Sequence, residues 1–160
     1  MDEQHTQAPW SSDVEGILYA VNGRPGQTTV ATVSPGAPAA LLAAAPDLLW
    51  ALADSMELLE QEFEGLPSGA RLLAVLDARN SAKTALGHAT IGYAGSTARV
   101  RSWKVNPTLP EDEQKANERL LDAAAELHEA VQKTYAVLAG HVNNPEVVGA
   151  LQKALARLAR

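Results

Sequence analysis

Two stretches of this chain carry one pattern: residues 41–52 read LLAAAPDLLWAL and residues 120–131 read LLDAAAELHEAV. Setting Leu41 on Leu120, an offset of 79, pairs Leu42 with Leu121, Ala45 with Ala124, Asp47 with Glu126, Leu48 with Leu127 and Ala51 with Ala130. An internal repeat constrains a fold strongly, because each half is then a copy of one supersecondary unit that buries its apolar face on its neighbour.

The surrounding sequence extends the match. Residues 16–33 (GILYAVNGRPGQTTVATV) alternate like a β-hairpin, with turn residues in NGRPGQ and a β-branched return strand. Apolar residues from Leu41 to Phe63 recur at steps of three and four, as one buried helix face requires. Pro46 lies inside that pattern and has no backbone N–H, which predicts a kink or two short helices. A second helix is expected over 69–89, capped by Ser68 and carrying Leu72, Leu73, Leu76 and Leu86.

The hairpin rhythm returns in ATIGYAGSTARVRSWKV (89–105), where Ile17 maps on Ile91 and Tyr19 on Tyr93 at an offset of 74. Both tyrosines are expected in the core with a wet hydroxyl. A long smooth helix over 110–139, a stop at Gly140 and a last helix starting at Asn144–Pro145 complete the second half. Leu72 then maps on Val147 at an offset of 75. The expected fold class is α+β, mainly helical: two ββαα units, 16–89 and 90–160, packed around a shared core in a single compact domain. Residues 1–15, polar and acidic, are expected to be a disordered tail.

Composition limits the chemistry. A formal net charge of −6 works against binding a nucleic acid polymer, whose affinity comes from neutralised phosphates. Cysteine is absent, which removes disulfides and thiolate sites. No apolar run is read as a bilayer span, and the amino terminus has neither secretion nor transit character. Alanine is abundant and aromatics are few, so two such thin units are expected to pack on each other or on further subunits as a homo-oligomer.

APAALLAAAPDLLWALADSMELLE, followed by a helix containing ARNSAKTAL, resembles a motif of short phage and prophage proteins, A-x-L-I-A-A-A-P-D/E-L-L-E-A-L after a small hairpin. The resemblance covers roughly residues 16–89 and rests on Leu41–Asp47, Leu48, Leu49, Ala51 and Leu52, with Trp50 in place of the usual acidic residue. It implies a phage-encoded protein acting in a host bacterial cytoplasm. The second half is similar in outline to the helical hairpin of phage sponge proteins, oligomers that sequester nucleotide second messengers of anti-phage immunity. No residue motif carries that second similarity.

The most unusual local feature is ARVRSWKV (98–105). As a strand it places Arg99, Arg101 and Trp103 on one face and Val100, Ser102 and Lys104 on the other. Guanidinium groups beside an indole suit phosphates and a stacked base, and Arg24 and Tyr93 in the two hairpins extend the set. The alternative is a solvated strand face, or arginines paired with acidic helices. Arg79, Asn80 and Lys83, accompanied by Ser81 and Thr84, read as an exposed helix face, with the lining of a polar cleft as the alternative, and ELLEQEFE (57–64) as a solvated acidic end.

The four histidines, His5, His88, His128 and His141, show no metal-ligand spacing, and neither a phosphate-binding glycine loop nor a nucleophile elbow is present. No metal, cofactor or catalytic residue is therefore expected. The resulting expectation is a non-enzymatic sponge for a small nucleotide signal, a cyclic oligonucleotide or ADP-ribose derivative. The alternative is a module that binds a host or phage protein through its helices.

Overall fold

The computed structural model describes residues 5–6, 8–13, 16–20, 28–65, 69–92, 101–139 and 144–159. Among these, β1 (Trp10–Ser12), β2 (Ile17–Ala20), β3 (Thr28–Val33) and β4 (Trp103–Val105) form one antiparallel sheet in the order β1-β2-β3-β4. Helices α1 (Ala39–Gly65) and α2 (Ala70–Thr90) separate β3 from β4, and α3 (Glu111–Asp122), α4 (Ala124–Leu138) and α5 (Pro145–Ala156) follow it. The chain ends in a 3-10 turn at Arg157–Ala159.

The fold is α+β and mainly helical, but it is not two ββαα units. The expected hairpin β2–β3 forms, and its turn, 21–27, lies outside the described residues. Of the second expected hairpin, 89–105, residues 93–100 lie outside the described residues, 89 and 90 belong to α2, and 103–105 form β4, which joins β3 with Ala31 opposite Val105 and Val33 opposite Trp103. The helix runs through Leu86–Gly87–His88–Ala89, and the Gly87 carbonyl accepts from both Ile91 and Gly92. Ile91, the residue matched to Ile17, is consequently left 83% exposed.

A bulge between Leu18 and Tyr19 explains the sheet's core face. Leu18 pairs with Ala31 but Tyr19 with Thr29, leaving Val30 extra, so Val30 and Ala31 both point to the buried side. Leu18, Ala20, Val33, Val105 and Trp10 share that side, whereas Tyr19 is only half-buried on the other. Gly16 is required here: its φ is +84°, and a Cβ would sit 2.7 Å from the Val33 carbonyl oxygen.

The expected disordered tail contains β1. Trp10 is fully buried and its indole N–H donates to the Thr6 carbonyl at 3.0 Å. Thr6 N–H donates to Asn117 Oδ1 and Asn117 Nδ2 donates to Thr6 Oγ1, both at 2.8 Å. A buried amide matched on both sides anchors the segment to α3.

Helix continuity also departs from expectation. α1 passes uninterrupted through buried Pro46, while the expected smooth helix over 110–139 breaks at Ala123 (φ −90°, ψ −2°) into α3 and α4. The break lets α3 follow α2 and β4 while α4 packs between α1 and α2.

In α2 the buried face is Val75, Ala78, Ala82, Ala85 and Ala89, and Leu73 is 66% exposed. Alanine brings α2 close to α1 and α4, and the leucines flank the contact instead of filling it. Ser68, the expected cap, lies outside the described residues. Asn144 caps α5 as expected, accepting from Val147 N at 3.4 Å ahead of Pro145. α1 is, by length and composition, apolar enough to cross a bilayer, which corrects the reading that no such run exists. More than half of that stretch is buried inside the protein.

Candidate functional site

The basic–aromatic strand folds into a corner between β4, the start of α1 and the α3–α4 junction. Ser34 N–H donates to the Ser102 carbonyl at 2.7 Å, which fixes the approach to β4. Arg101, just before the strand, donates from Nε to Asp122 Oδ1 at 3.0 Å and from Nη2 to Oδ2 at 2.7 Å. Its guanidinium carbon lies 4.9 Å from the Trp103 ring centroid. Asp122 ends α3, where the helix dipole disfavours a negative charge, and the guanidinium compensates it. The Asp122 hydrogen bonds, opposed by partial burial and helped by the charges of Asp122 and Glu118, raise the Arg101 pKa above its ordinary value.

An open groove of about 340 Å³ runs from this pair between Leu41 and Leu42 on one side and Leu121 and Ala124 on the other. A planar ring has an indole to lie against there. An anionic group has one guanidinium to reach, in competition with a carboxylate that already holds its Nε–Nη2 edge.

Of the six residues expected at a ligand site, the structure brings together Arg101 and Trp103. Trp103 is half-buried on the core side with Val105, while Lys104 is exposed on the opposite face of the sheet and does not join them. Arg24, Tyr93 and Arg99 lie outside the described residues.

Arg79 and Lys83, singled out in the sequence, are held in ion pairs between α1 and α2, while Asn80 lines an open cleft of about 300 Å³ with Ser81, Thr84, Glu126 and Glu129. Arg79 and Lys83 pair with Glu60 at 2.7 and 3.2 Å, Arg71 pairs with Glu62 at 3.0 Å, and Arg79 stacks on Phe63 at 4.9 Å. The acidic end of α1 is thus a clamp onto α2 and not a freely solvated end. The Arg79 hydrogen bond, with further help from Lys83 and against desolvation, lowers the Glu60 pKa from its ordinary 4.5.

Between α2 and α4, His88 Nδ1 meets Glu126 Oε2 at 2.6 Å, and Lys133 Nζ donates to Ser81 Oγ at 3.1 Å. A serine–lysine nucleophile needs a neutral amine. Lys133 is held the other way: its hydrogen bond to Asp77, together with Glu129 and against desolvation, raises its pKa above 10.5. Ser81 therefore accepts from an ammonium and is not activated. Among the described residues, no group of three His, Asp or Glu side chains is placed to hold a metal ion.

Sequence reasoning missed a second groove, of about 560 Å³, between α1 and α5. Asp47, Trp50, Ala51 and Asp54 face Ala150, Lys153, Ala154 and Arg157 across it, each set at helical i, i+3, i+4, i+7 spacing. That spacing was the available signal. Arg157 closes one end by pairing with Asp47 and donating to the Trp10 carbonyl. The His5 ring lies edge-on to Trp50, with centroids 6.5 Å apart.

Residues 1–91 match the family described as Salmonella phage P22 protein Y8K6, which takes in β1–β3, α1 and α2. The Arg101 corner and helices α3–α5 lie beyond the matched residues. No curated protein and no solved structure matches the chain.

Proposed function

The chain belongs to the family of Salmonella phage P22 protein Y8K6, and on that premise we propose that it is a phage-encoded, non-enzymatic anti-defence protein, made in the host, that sequesters a small nucleotide signal. The observation that carries the reading is the Arg101–Trp103 stack at the mouth of the groove between α1 and the α3–α4 junction. The base of a cyclic oligonucleotide or ADP-ribose derivative lies against Trp103, and a phosphate takes Arg101 from Asp122. Sequestration needs no bond to be broken. This agrees with a site that offers stacking and charge but no group poised to move a proton.

The test is thermal stabilisation by a panel of cyclic oligonucleotides and ADP-ribose derivatives, followed by mass spectrometry of the ligand released by heat. At ligand concentrations a hundred times Kd the stabilisation is about 2.7 kcal/mol, and it should disappear in Trp103→Ala. Intact ligand supports sequestration, and a converted product points to an enzyme. No stabilisation by any of them overturns the reading.

A second reading, a module that inhibits a protein through its helices, is favoured by Asp122 already engaging Arg101 and by the exposed Leu73 on α2. Inhibition abolished by Leu73→Ser and unaffected by Trp103→Ala would select it.

A further inference from the structure

We propose that the α1–α5 groove is the contact through which two copies of this chain pair about a two-fold axis. This stands independently of any ligand at Arg101. The groove has an alanine floor, Ala51 from α1 and Ala150 and Ala154 from α5. Half-buried Trp50 on one wall faces exposed Lys153 on the other.

The charges divide into two kinds. Asp47 and Arg157 are paired within the chain, whereas Asp54 and Lys153 have no ion-pair partner among the described residues. Two acids and two bases make this face neutral on a chain of formal net charge −6. Acidic copies repel one another over most of their surface, so a neutral face with unspent opposite charges on its two walls is where they meet most favourably.

A two-fold contact is isologous: what one copy offers, the other receives. Laying one groove on another sets Asp54 against the partner's Lys153 and Lys153 against the partner's Asp54. It also brings Trp50 to the small-residue floor opposite, where an indole gains area and excludes water from the ion pairs. The face is self-complementary in charge and in size, which selects a second copy as its occupant.

The test is the oligomeric state by sedimentation, on the full chain. The wild type is expected to be a dimer. Asp54→Lys sets lysine against lysine and Lys153→Glu sets acid against acid, so each should raise the dimer dissociation constant about tenfold or more. An equimolar mixture of the two variants should form heterodimers, because one copy then carries both bases and the other both acids. The double variant Asp54→Lys/Lys153→Glu should recover the homodimer. Both sites are exposed, so circular dichroism should show each variant folded. A monomeric wild type overturns the proposal, as do single variants that dimerise as tightly as wild type, or single variants whose mixture fails to associate.

Discussion

Arg101→Ala tests the groove's most consequential contact. The substitution removes two charge-assisted hydrogen bonds, at 2.7 and 3.0 Å, and leaves the Asp122 carboxylate, whose side chain is 12% exposed, at the end of α3 without them. Breaking a fully buried pair costs about 3–5 kcal/mol, and an exposed pair is worth about 0.2–1 kcal/mol. The Arg101 side chain is 38% exposed, so water screens much of the interaction and the expected loss is toward the lower end, about 1–2 kcal/mol. For a chain of this size that is a fall in Tm of roughly 2–8 °C. Thermal and urea melts at pH 7 read it directly, and added salt should narrow the gap. Adding Asp122→Asn to Arg101→Ala should recover part of the loss, because the negative charge at the end of α3 is then removed with the guanidinium that offset it, giving a coupling of about 1 kcal/mol. A Tm within about 1 °C of wild type, with strictly additive double-variant behaviour, would refute the reasoning. The guanidinium would then be free in solution, and the objection to a phosphate at Arg101 would fall with it.

Asn117→Ala strands the buried Thr6 N–H, while the Thr6 hydroxyl keeps its bond to Glu113, and should cost about 1–3 kcal/mol in urea unfolding; a smaller change than about 0.5 kcal/mol would mean the amino-terminal segment is not docked on α3. Ala82→Leu forces a larger side chain between α2 and its neighbours and should cost about 1–3 kcal/mol, while Leu73→Ala should stay within about 0.5 kcal/mol by the same melts. Glu60 has a folded pKa below its ordinary 4.5, so its stabilisation is present above 4.5 and is lost as pH falls through the folded value. Glu60→Gln should therefore lower the urea midpoint at pH 7, with the difference from wild type closing progressively below pH 4.5.

Local order was legible in the sequence. The β2–β3 hairpin, α1, α2 and the Asn144–Pro145 start of α5 all follow from period, turn residues and capping chemistry. The pairing of β4 with β3 was not, because Ala31 and Val105 are joined by register and not by any local pattern, and a three-residue strand has no period to read. The same holds for β1, whose signal is one indole in a polar stretch. On α2 the sequence showed the helix but not its buried face: alanine is both the best helix former and, where helices approach closely, the residue that fits. The leucines of α2 carry more apolar area, yet its buried face is Val75 and the alanines at 78, 82, 85 and 89. At the Arg101 corner the sequence showed Arg101 near Trp103 and offered pairing with an acidic helix as the alternative, but it did not single out Asp122, which arrives from 21 residues away.

The repeated string has a physical meaning even though the units it suggested do not exist. Leu42 and Leu121, Ala44 and Ala123, Ala45 and Ala124, Leu48 and Leu127, Ala51 and Ala130, and Leu52 and Val131 are buried in both copies. What repeats is therefore a pattern of helix burial, and one shared core, in which α1 packs on α4, accounts for both copies. A duplicated domain would also repeat the sheet, and β4 instead completes the first one. The copies diverge where local sequence and neighbours disagree. Pro46 removes a donor from α1, but α1 is held along its length by β1, α2, α4 and α5, and the helix continues. Ala123 is an excellent helix former, yet the chain bends there because α3 follows β4 and α4 follows α1. The bend sets Asp122 facing Arg101 and Ala124 beside the groove. The candidate ligand corner is thus a product of the point where tertiary packing overrides helix propensity.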